Sequence, residues 1–107
     1  MLLGANGQNV YPEEIEDKLN SMTMVVESLI IQKGDKLVAL VYPDYEEAKT
    51  MGFTNDDLQH IMEQNILELN QVHPAYSKIS QVKLMEDEFE KTPKKSIKRY
   101  LYKDVEI

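Results

Sequence analysis

Cysteine is absent from the chain. That excludes disulfide stapling, thiolate zinc sites and cysteine redox chemistry. No apolar run approaches the roughly 20 residues that a bilayer-spanning helix needs. The opening Met1-Leu2-Leu3-Gly4 has neither the basic region nor the length of a signal peptide, so no transmembrane segment and a cytoplasmic setting are expected. Histidine is scarce. His60 and His73 stand 13 residues apart, too few ligands for a metal site of their own. Positive charge is in the minority, with 12 basic residues against 19 acidic ones and a formal net charge of −7. That balance argues against non-specific binding to nucleic acid or anionic membrane. Repeats and low-complexity tracts are also missing, and no catalytic triad stands out from residue order, which does not define one.

What remains is enough for one fold. The 107 residues are 42% hydrophobic, sufficient for one modest core, and a single domain over 1–107 is expected. Leu2-Leu3 and Asn9-Val10-Tyr11 read as short extended arms of a loose hairpin around a Gly/Asn-rich loop. Pro12 opens a helix that should end near Asn20 or Ser21. Glu13, Glu14, Glu16 and Asp17 read as acids at the helix N-terminus, where the dipole favours them. Ile15, Leu19 and Met22 mark its apolar face.

Met24–Ile31 and Lys36–Tyr42 are β-rich runs joined by Lys33-Gly34-Asp35, an antiparallel hairpin central in a sheet. A helical turn is expected over Tyr45–Met51. Thr54 caps a second amphipathic helix, about Asp56 to Gln71, whose apolar face recurs with period 3.6. His73-Pro74 ends it. Gln81–Met85 alternates as a strand, Phe89–Lys95 is irregular, and Ile97–Tyr102 closes in one or two helical turns. The fold expected is α+β: a small sandwich with a central antiparallel sheet of about three strands, flanking helices and a short N-terminal hairpin. On pattern alone a ferredoxin-like module fits.

Two stretches carry candidate chemistry. Gly4-Ala5-Asn6-Gly7-Gln8-Asn9 can hold unusual backbone angles and admit another molecule closely, although Asn-Gly is also an ordinary turn dipeptide. Lys91, Lys94, Lys95, Lys98, Arg99 and Lys103 gather on an otherwise acidic chain. They read either as a solvated basic surface or as a loop that meets a phosphate, carboxylate or adenylate.

Gly7, Val10, Pro12, Glu14, Ile15 and Glu16 fit a pattern of glycine, an aliphatic residue and Pro-x-Glu-[Ile/Val]-Glu. About 75 residues on, Lys91, Thr92, Pro93, Ile97, Lys98 and Arg99 fit Lys-Thr-Pro-x-Gly-Lys-[Ile/Leu]-x-Arg. In that order the two motifs resemble the C-terminal domain of adenylate-forming enzymes, the family of acyl-CoA synthetases, luciferase and peptide-synthetase adenylation domains. The ending Phe89–Tyr102 is most similar to bacterial long-chain fatty-acid–CoA ligases. The resemblance implies a two-step acid–thiol ligase. A carboxylate attacks the α-phosphate of ATP, the small domain rotates, and the CoA thiol displaces AMP.

It further implies a large N-terminal domain as partner, which this chain lacks. Fatty acid, ATP and CoA would meet at the domain interface, with Mg2+ in the whole enzyme and nothing bound by this domain alone, which is expected to be inactive. Gly7, Gln8, Asn9 and Val10 become candidates for the CoA (pantetheine) side. The lysine loop becomes the candidate for adenylation, with one departure. Lys95 stands where the family has glycine and Ser96 where it has its lysine, which leaves Lys95 and Lys98 as the cations able to serve that step. The alternative is a free-standing ferredoxin-like regulatory or protein-interaction module.

Overall fold

A computed structural model describes residues 2–3, 9–33, 36–72 and 78–102, with Leu2, Leu3, Asn9 and Val10 described through the backbone alone. Leu2–Leu3 (β1) and Asn9–Val10 (β2) pair antiparallel, Leu2 against Val10 and Leu3 against Asn9. This is the expected short hairpin.

Helix Pro12–Asn20 (α1) starts at Pro12, whose missing N–H costs nothing in the first turn. Glu13 and Glu14 lie in that turn and face solvent. The buried positions Pro12, Ile15, Glu16 and Leu19 fall at i, i+3, i+4 and i+7, one continuous helix face.

Val25–Lys33 (β3) and Lys36–Pro43 (β4) form the expected antiparallel pair, with Leu29 opposite Leu40 and Lys33 opposite Lys36. The expected turn residues Gly34 and Asp35 lie outside the described residues. A register shift between Val25 and Glu27 bends the start of β3. Helix Tyr45–Met51 (α2) is capped by Asp44, whose Oδ1 accepts the Glu47 N–H at 3.0 Å, and it ends on Gly52 at φ 77°. Helix Asn55–Val72 (α3) opens on a reciprocal cap. The Thr54 N–H donates to Asp57 Oδ2 at 2.9 Å and the Asp57 N–H to Thr54 Oγ1 at 3.2 Å. His73 and Pro74, expected to end α3, lie outside the described residues.

Ile79–Leu84 (β5) completes a three-stranded sheet in the order β3-β4-β5. Its direction departs from expectation. β5 runs parallel to β4, Leu37 against Ile79 and Val41 against Leu84, so the sheet is mixed. The 18-residue α3 explains this. At 1.5 Å per residue it is about 27 Å long. It carries the chain back along the sheet, so the next strand starts where β4 started. The ferredoxin-like layout is not formed among the described residues, because the first extended arm pairs in its own hairpin and stays out of the main sheet.

The two faces of the sheet are covered differently. Ile30, Ala39, Val41 and Val82 pack under α1 and α3 against Ile15, Leu19, Met62, Ile66 and Leu69. Leu29, Ile31, Val38 and Leu40 pack against Phe89, with Tyr42, Met85, Ile97 and Tyr102 at the edges. Burial from both sides is why β3 and β4 read as near-continuous apolar runs. The segment after β5 therefore supplies a cover layer whose regular structure is one antiparallel bridge, Lys91 to Ile97, and a 3-10 turn at Arg99–Leu101.

Candidate functional site

The lysine loop is built on that cover layer. Phe89 is buried and meets Tyr102 edge-to-face, ring centroids 5.1 Å apart. The Tyr102 hydroxyl accepts the Glu90 N–H at 2.7 Å, and the Lys98 N–H donates to the Glu90 carbonyl at 2.9 Å. Lys91 and Ile97 then face each other across an antiparallel bridge. Within it the Thr92 N–H donates to the Ser96 carbonyl and the Lys95 N–H to the Thr92 carbonyl, each at 2.8 Å. The Ser96 N–H reaches Thr92 Oγ1 at 3.3 Å. Residues 91–98 thus form a small closed hairpin. Lys94, Lys95 and Ser96 stand exposed at its tip and Lys98 half-buried at its base.

Lys95 adopts a left-handed φ of 65°. A β-carbon disfavours that conformation and glycine does not. The position where the motif calls for glycine is the position whose backbone needs it.

Two carboxylates brace the base of the hairpin. Glu27 on β3 pairs with Lys91 Nζ through Oε1, and its Oε2 accepts the Phe89 N–H at 3.4 Å. Glu16 on α1 takes the fork of Arg99. Nη1 donates to Oε2 at 2.8 Å and Nη2 to Oε1, while the same Oε2 accepts the Ile30 N–H at 2.7 Å. A planar guanidinium suits this two-pronged contact as an ammonium does not. Arg99 is the chain's one arginine. Lys94, Lys95 and Lys98 form no ion pair among the described residues.

The Glu16–Arg99 pair is electrostatically lopsided. Burial raises the Glu16 carboxyl above its ordinary pKa, and the Arg99 and Ile30 hydrogen bonds recover only part of that cost. Burial alone would lower Arg99. The hydrogen bond and charge of Glu16 outweigh it and hold the guanidinium above its ordinary value. The sequence reads Glu16 as one of several acids at a helix start, where the dipole favours them. It is instead 6% exposed, because it lies on the buried face of α1 rather than at its exposed tip. The signal was present in the 12-15-16-19 spacing, which puts a carboxylate among core positions.

The residues expected on the CoA side divide. Asn9 and Val10 lie in β2, directly before α1. Gly7 and Gln8 lie outside the described residues, as does Lys103. No group of three or more His, Asp or Glu side chains among the described residues is placed to hold a metal ion. No helix of the described residues is long and apolar enough to cross a membrane.

A mixed three-stranded sheet with helices on one face and a braced lysine hairpin on the other defines a small α+β domain that presents cations at one edge. A family model described as the AMP-binding enzyme C-terminal domain matches residues 1–104, and the chain belongs to that family. No curated protein matches it. Among solved structures it is similar to the adenylation domain of a carboxylate reductase from Mycobacterium chelonae, at 15% identity and a TM-score of 0.81, covering 95% of this chain and 17% of that one. It is also similar to a fatty acyl CoA synthetase from Mycobacterium tuberculosis, at 20% identity and a TM-score of 0.69, covering 96% and 20%. A benzoate CoA ligase from Burkholderia xenovorans LB400 matches at 19% identity and a TM-score of 0.67, covering 91% and 19%. At these identities the likeness is one of fold. The chain spans a fifth or less of the length of each.

Proposed function

We propose that this chain is the mobile C-terminal domain of an ATP-dependent acid–thiol ligase that activates fatty acids, of long chain by the character of its ending, and works against a large N-terminal domain. The observation that carries the reading is the joining of its two motifs. Glu16 closes the first motif and Arg99 closes the second, and each holds the other. A fatty acyl CoA synthetase is among the solved structures of like fold, and the resemblance of the ending Phe89–Tyr102 supports the substrate class.

In this reading the lysine hairpin faces the carboxylate and α-phosphate of ATP, where positive charge stabilises the negative charge that develops on adenylate formation. The left-handed φ of Lys95 supports an alignment without a gap, so serine stands at the lysine position. Ser96 has no charge to offer. Lys95, at the exposed tip, and Lys98, at the base, are the proposed replacements. Gly7, Gln8, Asn9 and Val10 are proposed to line the pantetheine path in the second step, where a glycine leaves room. Mg2+ is proposed to arrive with the ATP phosphates and to find its ligands on the larger domain. A cytoplasmic setting fits these substrates.

The test is ATP–pyrophosphate exchange by the full reading frame that encodes this chain, assayed with acetate, benzoate, laurate and palmitate. Exchange with the long acids is expected, and none from the isolated chain. Exchange with no acid would refute the proposal. Lys95→Ala and Lys98→Ala are expected to lower the exchange, and Ser96→Lys to raise it. A Ser96→Lys enzyme no faster than a fully active parent shows that another lysine already serves.

A further inference from the structure

We infer that Glu27 and Glu16 are positioning residues. Their carboxylates hold the two ends of the lysine hairpin so that its tip presents Lys94 and Lys95 in one fixed direction. The inference rests on the adenylation reading only for what the hairpin does, not for how it is held.

The hairpin is short and its tip touches little else. Its internal hydrogen bonds close the loop but do not aim it. Aim comes from where the hairpin is fastened to the domain: Ile97 packs at the edge of the second core, and each end meets a carboxylate from a different element. Lys91, the first residue of the hairpin, pairs with Glu27 on β3. Glu27 also accepts the Phe89 N–H two residues earlier, so it holds a backbone group and a side chain at once. Arg99, directly after the hairpin, is forked onto Glu16 on α1. Glu16 is in turn fixed by the Ile30 N–H of β3. A side chain held at two points has lost its rotational freedom, and a bidentate pair specifies direction as well as distance.

The same arrangement sorts the cations. Lys91 and Arg99 are neutralised from within the domain, and the tip lysines are not. The cluster of basic residues is therefore two structural cations bracketing a smaller set available to an anion. A preorganised cation does more for a developing negative charge than one that must first be ordered. Loosening the brace should lower the rate of adenylate formation without altering how ATP is first bound.

The test has two arms. In this chain, amide exchange is followed at Thr92 and Lys98, which report the hairpin, and at Leu29 and Leu40, which report the core. Glu27→Gln is expected to speed the hairpin amides about tenfold and leave the core amides unchanged, as local opening does. The charge-swapped pair Glu27→Lys with Lys91→Glu is expected to restore slow exchange in part, because it remakes the ion pair but offers the Phe89 N–H no acceptor. Hairpin amides that do not respond, core amides that speed up equally, or a swap that restores nothing each overturn the brace. In the full ligase, Glu27→Gln is expected to cut kcat for adenylate formation about tenfold at unchanged KM for ATP. Faster hairpin exchange with kcat unchanged overturns the positioning role. A wild-type protein that forms no adenylate refutes the ligase reading and leaves the brace, judged by exchange alone, intact.

Discussion

Lys95 holds a backbone conformation that costs a side chain about 1 kcal/mol or more. Glycine there removes the clash but loses more chain entropy on folding, so Lys95→Gly should gain about 0.5 kcal/mol net. Lys95→Ala keeps the β-carbon and should stay near the parent. Urea midpoints check the order, and a glycine variant no more stable than the alanine one would show that the hairpin does not impose the angle. Glu16 makes a prediction in pH. Its folded pKa is raised by burial. Its contribution to stability is therefore fully present below the ordinary glutamate value and is lost as pH rises through the folded one. The stability margin of the parent over Glu16→Gln should shrink as pH rises from the ordinary glutamate value, about 4, through the higher folded one. A margin that widens instead would mean that the pair with Arg99 outweighs the cost of burial, which is the usual point at issue for buried ion pairs.

At the scale of elements, β5 shows how one polar side chain sets a boundary. Asn70, near the end of α3, donates through Nδ2 to the Ile79 carbonyl at 3.0 Å and accepts the Ile79 N–H at 2.8 Å. It acts as a short piece of neighbouring strand, so β5 begins at Ile79 and not at Gln81, where its alternation becomes visible. Asn70→Ala should cost about 1–2 kcal/mol and free the first residues of β5. Thermal denaturation together with exchange at Ile79 reads both effects, and a protected Ile79 amide in the variant would show that strand pairing alone suffices. The helices were legible from Pro12, from Thr54 and from the 3.6-residue rhythm of Leu58, Ile61, Met62, Asn65, Ile66 and Leu69, because these are local signals; of that face all but Ile61 are buried. The direction of β5 was not, since it depends on how far α3 travels. The partners of Glu16 and Glu27 were not legible either. They lie 83 residues away at Arg99 and more than 60 away at Lys91 and Phe89, and no local pattern encodes such a meeting. The family was legible in the order of the two motifs.

At the scale of the whole molecule, the second sheet face hangs on Phe89. It is 3% exposed and anchors a segment with almost no regular structure. Phe89→Ala should cost about 3–5 kcal/mol, a large part of the 5–15 kcal/mol typical of a small domain. The signs would be a lowered midpoint and dye binding to exposed apolar surface. A loss below about 1 kcal/mol would mean that Tyr102 and Ile97 close over the gap.

The dependence of that face on residues 89–102 also has a consequence for synthesis. On a ribosome the chain is made in order, so the helices can close over the first face while the second is still bare. Leu29, Ile31, Val38 and Leu40 then wait, apolar and open to other nascent chains, until the segment from Phe89 to Tyr102 has emerged. The contact that joins Glu16 to Arg99 spans most of the chain and must close a long loop, so it belongs among the last events of folding. The lysine hairpin lies within that covering segment, so it takes its final shape as the sheet face is covered. Its formation therefore marks the moment at which this domain has ceased to be a hazard to its neighbours.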